Sequence, residues 1–168
     1  KFCATSDAAN SFGRLGLEFH RCTTCGEDLP ARPSYVYRCG NCDKMTLLGP
    51  VRGTAIAWAE HSPEDLLVPF WLIMKDPTTI GAMIPAFRIA NAEALFRLSR
   101  RMTAAVSRLS VGSNFSAEVR TGAVNLAPGE ALALADVVSY RAALEKNERA
   151  MFEPSTVLSA PPSLLYVP

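Results

Sequence analysis

Two short cysteine pairs limit what this chain can fold into more than any other feature. Cys22-Thr23-Thr24-Cys25 is followed by Cys39-Gly40-Asn41-Cys42. In each pair, two intervening residues allow a tight turn that aims both sulfurs at one point, and two such turns supply the four thiolates of a tetrahedral Zn2+ site. A site filled by four sulfurs has no position left for water or substrate, so it builds structure and does not run chemistry. Four of the five cysteines fall in this pattern. That usage indicates a metal site in a reducing compartment, hence a cytoplasmic protein, more readily than a disulfide framework. Cys3 is left over; it is read as a terminal residue in preference to the remnant of a further knuckle upstream.

The flanks of the knuckles predict short strands. Leu15, Leu17 and Phe19 alternate with Arg14, Gly16, Glu18 and His20, the period of a strand with one buried face. A loop with two prolines, Glu27 to Pro33, leads to a strand at Tyr35–Arg38, and another strand, Met45–Leu48, leaves the second knuckle. With Arg21-Cys22-Thr23-Thr24-Cys25-Gly26 and Tyr37-Arg38-Cys39-Gly40-Asn41-Cys42, the segment 14–50 resembles the zinc-ribbon class. The resemblance implies Zn2+ held by Cys22, Cys25, Cys39 and Cys42. Iron is the alternative, because rubredoxin-like electron-transfer sites use the same four-sulfur tetrahedron. Gly26 suits the positive φ that such turns need, whereas Asp43 stands where glycine is usual, a geometry that aspartate tolerates. Ribbons serve transcription factors, enzymes, ribosomal proteins and assembly subunits alike, so the resemblance implies no single function.

A chain of 168 residues accommodates a metal-stapled module over 1–50 followed by a domain with its own core over 51–168. Its 49% hydrophobic and 20% charged residues suit a globular protein, and a net charge of +1 removes the simplest argument for nucleic acid, a large basic excess. The longest apolar run, Leu66–Met74, is too short to span a bilayer and contains Pro69. The first residue is Lys, not Met, which leaves room for an upstream segment.

Beyond Gly49-Pro50 the pattern predicts an α+β domain, an antiparallel or mixed sheet covered by two helices. Thr54–Trp58 reads as a strand, and His61 to Asp65 as a turn or a single helical turn capped by Ser62. Leu66–Met74 and Met83–Ile89 resemble each other, each with a proline after a β-branched residue and an aromatic beyond. Joined by the turn Lys75 to Thr79, they read as neighbouring strands. Leu164-Leu165-Tyr166-Val167-Pro168 repeats the motif, so the three are expected in one sheet with prolines at equivalent edge or bulge positions, and the chain is expected to continue past Pro168. Asn91–Leu109 is the clearest helix, with Asn91 as cap, an apolar stripe of Leu95, Leu98, Met102, Val106 and Leu109, and Val111-Gly112-Ser113-Asn114 ending it. Pro128-Gly129-Glu130 opens a second helix to about Ala150, and Glu153–Pro162 reads as an extended linker.

One candidate partner surface stands out. The clear helix carries Arg97, Arg100, Arg101 and Arg108 opposite its stripe, and Arg88 to Arg108 holds a net +4 while the rest of the chain sums to −3. A solvated helix face is the ordinary explanation of such a pattern. Its functional readings are an acidic protein, nucleic-acid phosphates or, peripherally, an anionic membrane surface. His20 beside the first knuckle and His61 among Glu60, Glu64 and Asp65 read as surface histidines in preference to metal-site or acid-base groups. Phe70, Trp71 and Phe87 lie in nearly continuous apolar runs, which favours core over a base-stacking platform. Without a phosphate loop, nucleophile elbow or HExxH motif, the expectation leans away from an enzyme. It favours a zinc-stabilised interaction protein, an accessory subunit of a larger complex, with nucleic-acid binding and Fe(Cys)4 electron transfer as alternatives.

Overall fold

A computed structural model describes residues 21–30, 34–112, 119–146 and 161–168. The expected strand at Leu15–Phe19, His20, and most of the 153–162 linker lie outside the described residues. The chain divides into two compact units, Lys1–Arg52 and Gly53–Pro168.

In the first unit, β1 (Val36–Arg38) and β2 (Met45–Leu47) form an antiparallel hairpin in which Tyr37 faces Thr46. Leu48 N–H donating to Tyr35 O extends the pairing by one rung. Apolar side chains gather where the knuckles meet this hairpin: Cys22, Leu29, Tyr37, Cys39 and Leu48 are buried together. Among the described residues this cluster is small, and a small core is the usual setting of a metal staple.

The second unit is α+β with a mixed sheet. Its strands are β3 (Ile56–Ala59), β4 (Leu66–Met74), β5 (Ile80–Pro85), β6 (Val111–Gly112), β7 (Arg120–Thr121) and β8 (Ser163–Val167), in the order β5-β4-β8-β3-β6 with β7 beside β4. Two helices, α1 (Ala92–Ala105) and α2 (Pro128–Glu145), pack on β5. β8 runs antiparallel to β4 and parallel to β3.

The three similar apolar segments do join one sheet, but their prolines are not equivalent. Pro85 meets the edge expectation. β5 is an outer strand; Met83 N–H, turned away from β4, is taken by Thr103 Oγ1 at 2.8 Å, and Pro85, two residues on, faces the same way with no N–H to satisfy. Pro69 lies instead in a central strand, where β4 changes partner along one side. Leu66 and Leu67 pair with β7, and Phe70 onward pairs with β5, so the missing N–H falls at the junction and breaks no ladder. Pro168 follows β8.

Three further expectations need correction. β5 spans 80–85 and not 83–89. Ala86 N–H closes the ladder on Pro69 O, then Ala86 O accepts from both Asn125 and Leu126 N–H, and Arg88 N–H turns to Asn125 Oδ1. Residues 87–89 therefore leave the sheet. The helix expected over 91–109 is α-helical to Ala105 and closes in a 3-10 turn, Val106–Arg108; Val111-Gly112 does not end it but pairs with Trp58 and Ala59 as β6. Within α1, Asn91 caps as expected, its Oδ1 accepting from Ala94 N–H at 3.0 Å, yet the fully buried positions are Phe96 and Ser99. Leu98, Met102, Val106 and Leu109 pack beside them against one sheet face.

That face carries Phe70, Met83, Leu165, Val167 and Ala59. The opposite face carries Leu67, Trp71, Ile73, Ile84, Leu164 and Tyr166, all buried, with Trp71 Nε1 donating to Leu126 O at 3.0 Å just before α2. Burial on both faces explains why β4 reads as a continuous apolar run. Phe70 and Trp71 are core, as expected; Phe87 is half-buried, edge-on to Phe70 at 6.5 Å.

Candidate metal centre

Each knuckle is built by the same local hydrogen bonds. In the first, Cys22 N–H donates to Glu27 O at 2.8 Å and Gly26 N–H to Cys22 O at 2.9 Å; in the second, Cys39 N–H donates to Lys44 O and Asp43 N–H to Cys39 O, both at 3.0 Å. The fourth residue after each leading cysteine takes a positive φ, +76° at Gly26 and 60° at Asp43. Asp43 thus occupies the glycine position, as the sequence indicated. Its carboxylate pairs with the Arg38 guanidinium, which ties the strained residue back to β1. Arg21 and Asp28 bracket the first knuckle with an isolated bridge and an ion pair at 3.0 Å.

These turns bring Cys22, Cys25, Cys39 and Cys42 together with all four sulfurs within 4.8 Å of one another and none in a disulfide. Two pairs that cross between the knuckles, Cys22–Cys42 and Cys25–Cys39, each stand at 3.5 Å. A tetrahedron of about 2.3 Å metal–sulfur bonds has edges of roughly 3.8 Å, so the donor set fits a single ion with little adjustment. Cys22 and Cys39 are buried, Cys42 is half-buried and Cys25 is exposed.

The surroundings treat the sulfurs unequally. Backbone N–H of Cys25, then the Thr46 hydroxyl and Thr24 N–H, stabilise the Cys22 thiolate and lower its pKa to about 5. Cys25 is lowered too, chiefly by Glu27 N–H. At Cys42 the Lys44 N–H favours the thiolate, but burial and the neighbouring Cys22, Cys25 and Cys39 sulfurs together push the pKa up to about 12. The surroundings therefore favour the thiolate at Cys22 and Cys25 and oppose it at Cys42, an opposition that the charge of a divalent cation would offset. Thr46 is the site residue that spacing did not announce. It is fully buried on β2, and its Oγ1 lies 3.6 Å from Cys22 Sγ. The alternation Met45-Thr46-Leu47 does turn it to the buried face of the hairpin, and that is the signal that could have found it.

The arginine face is described by different contacts. Arg97 pairs with Glu93 at 2.9 Å and Arg100 with Glu145 of α2 at 2.7 Å, while Arg141 bridges to Glu93 at 2.6 Å with its guanidinium 4.0 Å from the Phe96 ring centroid. Arg101 and Arg108 are exposed and lack an ion pair among the described residues. His61 hydrogen-bonds Ala59 O at 2.8 Å, and Asp65 caps Ser62 N–H at 2.7 Å; these residues join no metal-binding cluster among the described residues. No helix among those residues is long and apolar enough to cross a membrane. Comparison with protein-family models, curated proteins and solved structures finds no match to the chain.

Proposed function

We propose that the chain is a non-catalytic, metal-stabilised interaction protein of the cytoplasm, a subunit that assembles with protein partners. Residues 1–50 act as a zinc-ribbon module and 51–168 as the domain that module accompanies. The observation that carries this reading is the convergence of Cys22, Cys25, Cys39 and Cys42 from two equivalent turns onto one four-sulfur point. Four protein ligands saturate a tetrahedral ion, so the metal fixes the fold of its module and offers nothing to a substrate. Zn2+ is the favoured ion and Fe the alternative, the latter carrying electron transfer in place of assembly. Partner binding by the Arg97/Arg100/Arg101/Arg108 face is the narrower form of the idea. With Arg97 and Arg100 matched by Glu93 and Glu145, Arg101 and Arg108 supply most of its free charge, which favours an acidic protein over the many phosphate contacts of nucleic acid.

Metal analysis of natively purified protein tests the core of the proposal. One equivalent of zinc per chain is expected, lost in Cys39→Ser together with amide-exchange protection over residues 34–48, while protection in β4 and β8 persists. A substoichiometric metal content, or full protection of 34–48 in Cys39→Ser, defeats it. Recovery of the tagged native protein as a monomer that turns over a substrate defeats the assembly role.

A further inference from the structure

α2 is apolar on more sides than its packing uses. Ala131, Ala135 and Val138 face inward and are buried. At 100° per residue, Ala133, Val137, Tyr140 and Leu144 fall within about 60° of one another on the outward side. There Val137 is 63% and Tyr140 44% exposed, and Ala133 is exposed as well. A helix whose outer face meets only water carries polar residues at such positions.

We propose that this stripe pairs with the same stripe of a second copy, the two α2 helices running antiparallel about a two-fold axis at Val137. Self-complementarity selects this occupant. The small residues Gly129 and Ala133 precede Val137, and the large residues Tyr140 and Leu144 follow it at nearly mirrored spacings. Antiparallel pairing sets Gly129 against Leu144, Ala133 against Tyr140 and Val137 against Val137, with each bulky side chain entering the gap left by a small one. Parallel pairing stacks Tyr140 on Tyr140 and Glu130 on Glu130.

Charge agrees with the antiparallel choice on one flank of the stripe, whereas on the other the two-fold sets Asp136 near its own copy, a repulsion that salt screens. Glu130 and Arg141 flank the same side of the stripe, and although each has a partner within the chain their side chains stay 45% and 40% exposed. A two-fold axis across the interface keeps them on one side and brings Glu130 of one copy within about three residues of Arg141 of the other, twice over. A single helix of about 27 Å covers less area than the roughly 800 Å² per partner of a standard stable interface, so the dimer is reversible and concentration-dependent.

This pairing gives the assembly reading a partner without relying on the metal; Cys39→Ser is expected to dimerise like the parent chain, which separates failure of the one from failure of the other. Sedimentation equilibrium of the full chain from micromolar to millimolar concentration is the primary test. A monomer–dimer equilibrium is expected, weakened at least tenfold by Val137→Arg with unchanged far-UV circular dichroism, since Val137 points outward. Register is read with a short bifunctional maleimide, the linked peptides being identified by mass spectrometry so that links through exposed native thiols such as Cys25 are set apart. Val137→Cys is expected to cross-link to itself; Ala133→Cys is not, but cross-links when mixed with Tyr140→Cys. A chain that stays monomeric over the whole range, a dimer indifferent to Val137→Arg, or self-cross-linking of Ala133→Cys in place of Val137→Cys overturns the proposal.

Discussion

Gly122 lies so close to Pro69 that a β-carbon added to it would stand 2.8 Å from Pro69 Cδ. Gly122 N–H also donates to Leu67 O at 2.8 Å, so its backbone is held at this distance and cannot drift away. The contact sits where β4 exchanges β7 for β5, and the proline ring fills the space a ladder hydrogen bond would otherwise occupy. A rigid ring cannot yield as a flexible side chain would. Gly122→Ala is therefore expected to destabilise the second unit by ~1–3 kcal/mol, the usual range for overpacking. Urea unfolding followed by Trp fluorescence measures it; an unchanged midpoint means that the β7 segment shifts at no cost.

Asp43 offers a test of the second knuckle. Its φ of 60° favours glycine, while its carboxylate gains Arg38. Asp43→Ala keeps the strained backbone and loses the ion pair, so a loss of ~1–2 kcal/mol is expected in the first unit. Asp43→Gly relieves the backbone and is expected to cost less. Chelator-competition titration ranks the two variants; since both lack the carboxylate that pairs with Arg38, their difference reads the turn conformation alone, and the reverse order shows that the positive φ is not what limits the knuckle.

Thr46 touches the metal site only through Cys22. Replacing it with valine conserves volume and removes the hydroxyl that lies 3.6 Å from Cys22 Sγ. Thr46→Val is expected to weaken metal binding ~10-fold or more, as loss of a ligand's own hydrogen-bond partner commonly does. The sulfur-to-cobalt charge-transfer band of the Co2+-substituted protein is expected to shift as well, a readout that a purely packing role for Thr46 leaves in place.

Much of this site and part of the fold were legible in the sequence, and the division follows how local each determinant is. Knuckle geometry depends on a handful of adjacent residues, so Cys22-x-x-Cys25, Gly26 and the exceptional Asp43 could be read directly. The Asn91 cap and the Leu66–Met74 run are equally local signals. β8 between β4 and β3 was not readable, because nothing near residues 163–167 encodes a parallel partner at Ile56. The counter-ion of Arg100 escaped for the same reason, since Glu145 lies 45 positions from it. On α1 the Ser99 carbonyl accepts from Thr103 Oγ1 at 2.7 Å, while the Ser99 hydroxyl is buried with no hydrogen-bond partner among the described residues.

The turn between β4 and β5 carries a pH dependence whose sign is fixed. Asp76 accepts from Thr79 and Thr78, through side-chain and backbone donors, and its pKa falls from 3.8 to about 2. A carboxylate depressed in the folded state adds stability that is fully present above its unfolded pKa and is lost as pH drops through the folded one. Asp76→Asn is expected to be less stable than the parent at neutral pH, with the difference shrinking below 3.8 and closing near pH 2. Parallel urea titrations at several pH values check it, and a gap that persists at the acid end assigns the effect to something other than the charge.

The placement of β8 bears on how such a chain is made. Translation proceeds from the N-terminus, so both knuckles and their hairpin leave the ribosome long before residues 163–167 exist. β3 and β4 emerge early too, yet they are not neighbours in the finished sheet; β8 separates them. Until that strand arrives, each presents an unpaired edge, and pairing them with one another would close the slot that β8 must enter. The first unit can mature during synthesis, whereas the second has to wait with its sheet open for a late strand to be inserted. A chain cut short before β8 would expose the edge of Leu66–Met74, a strand of nine apolar residues, to any other nascent copy.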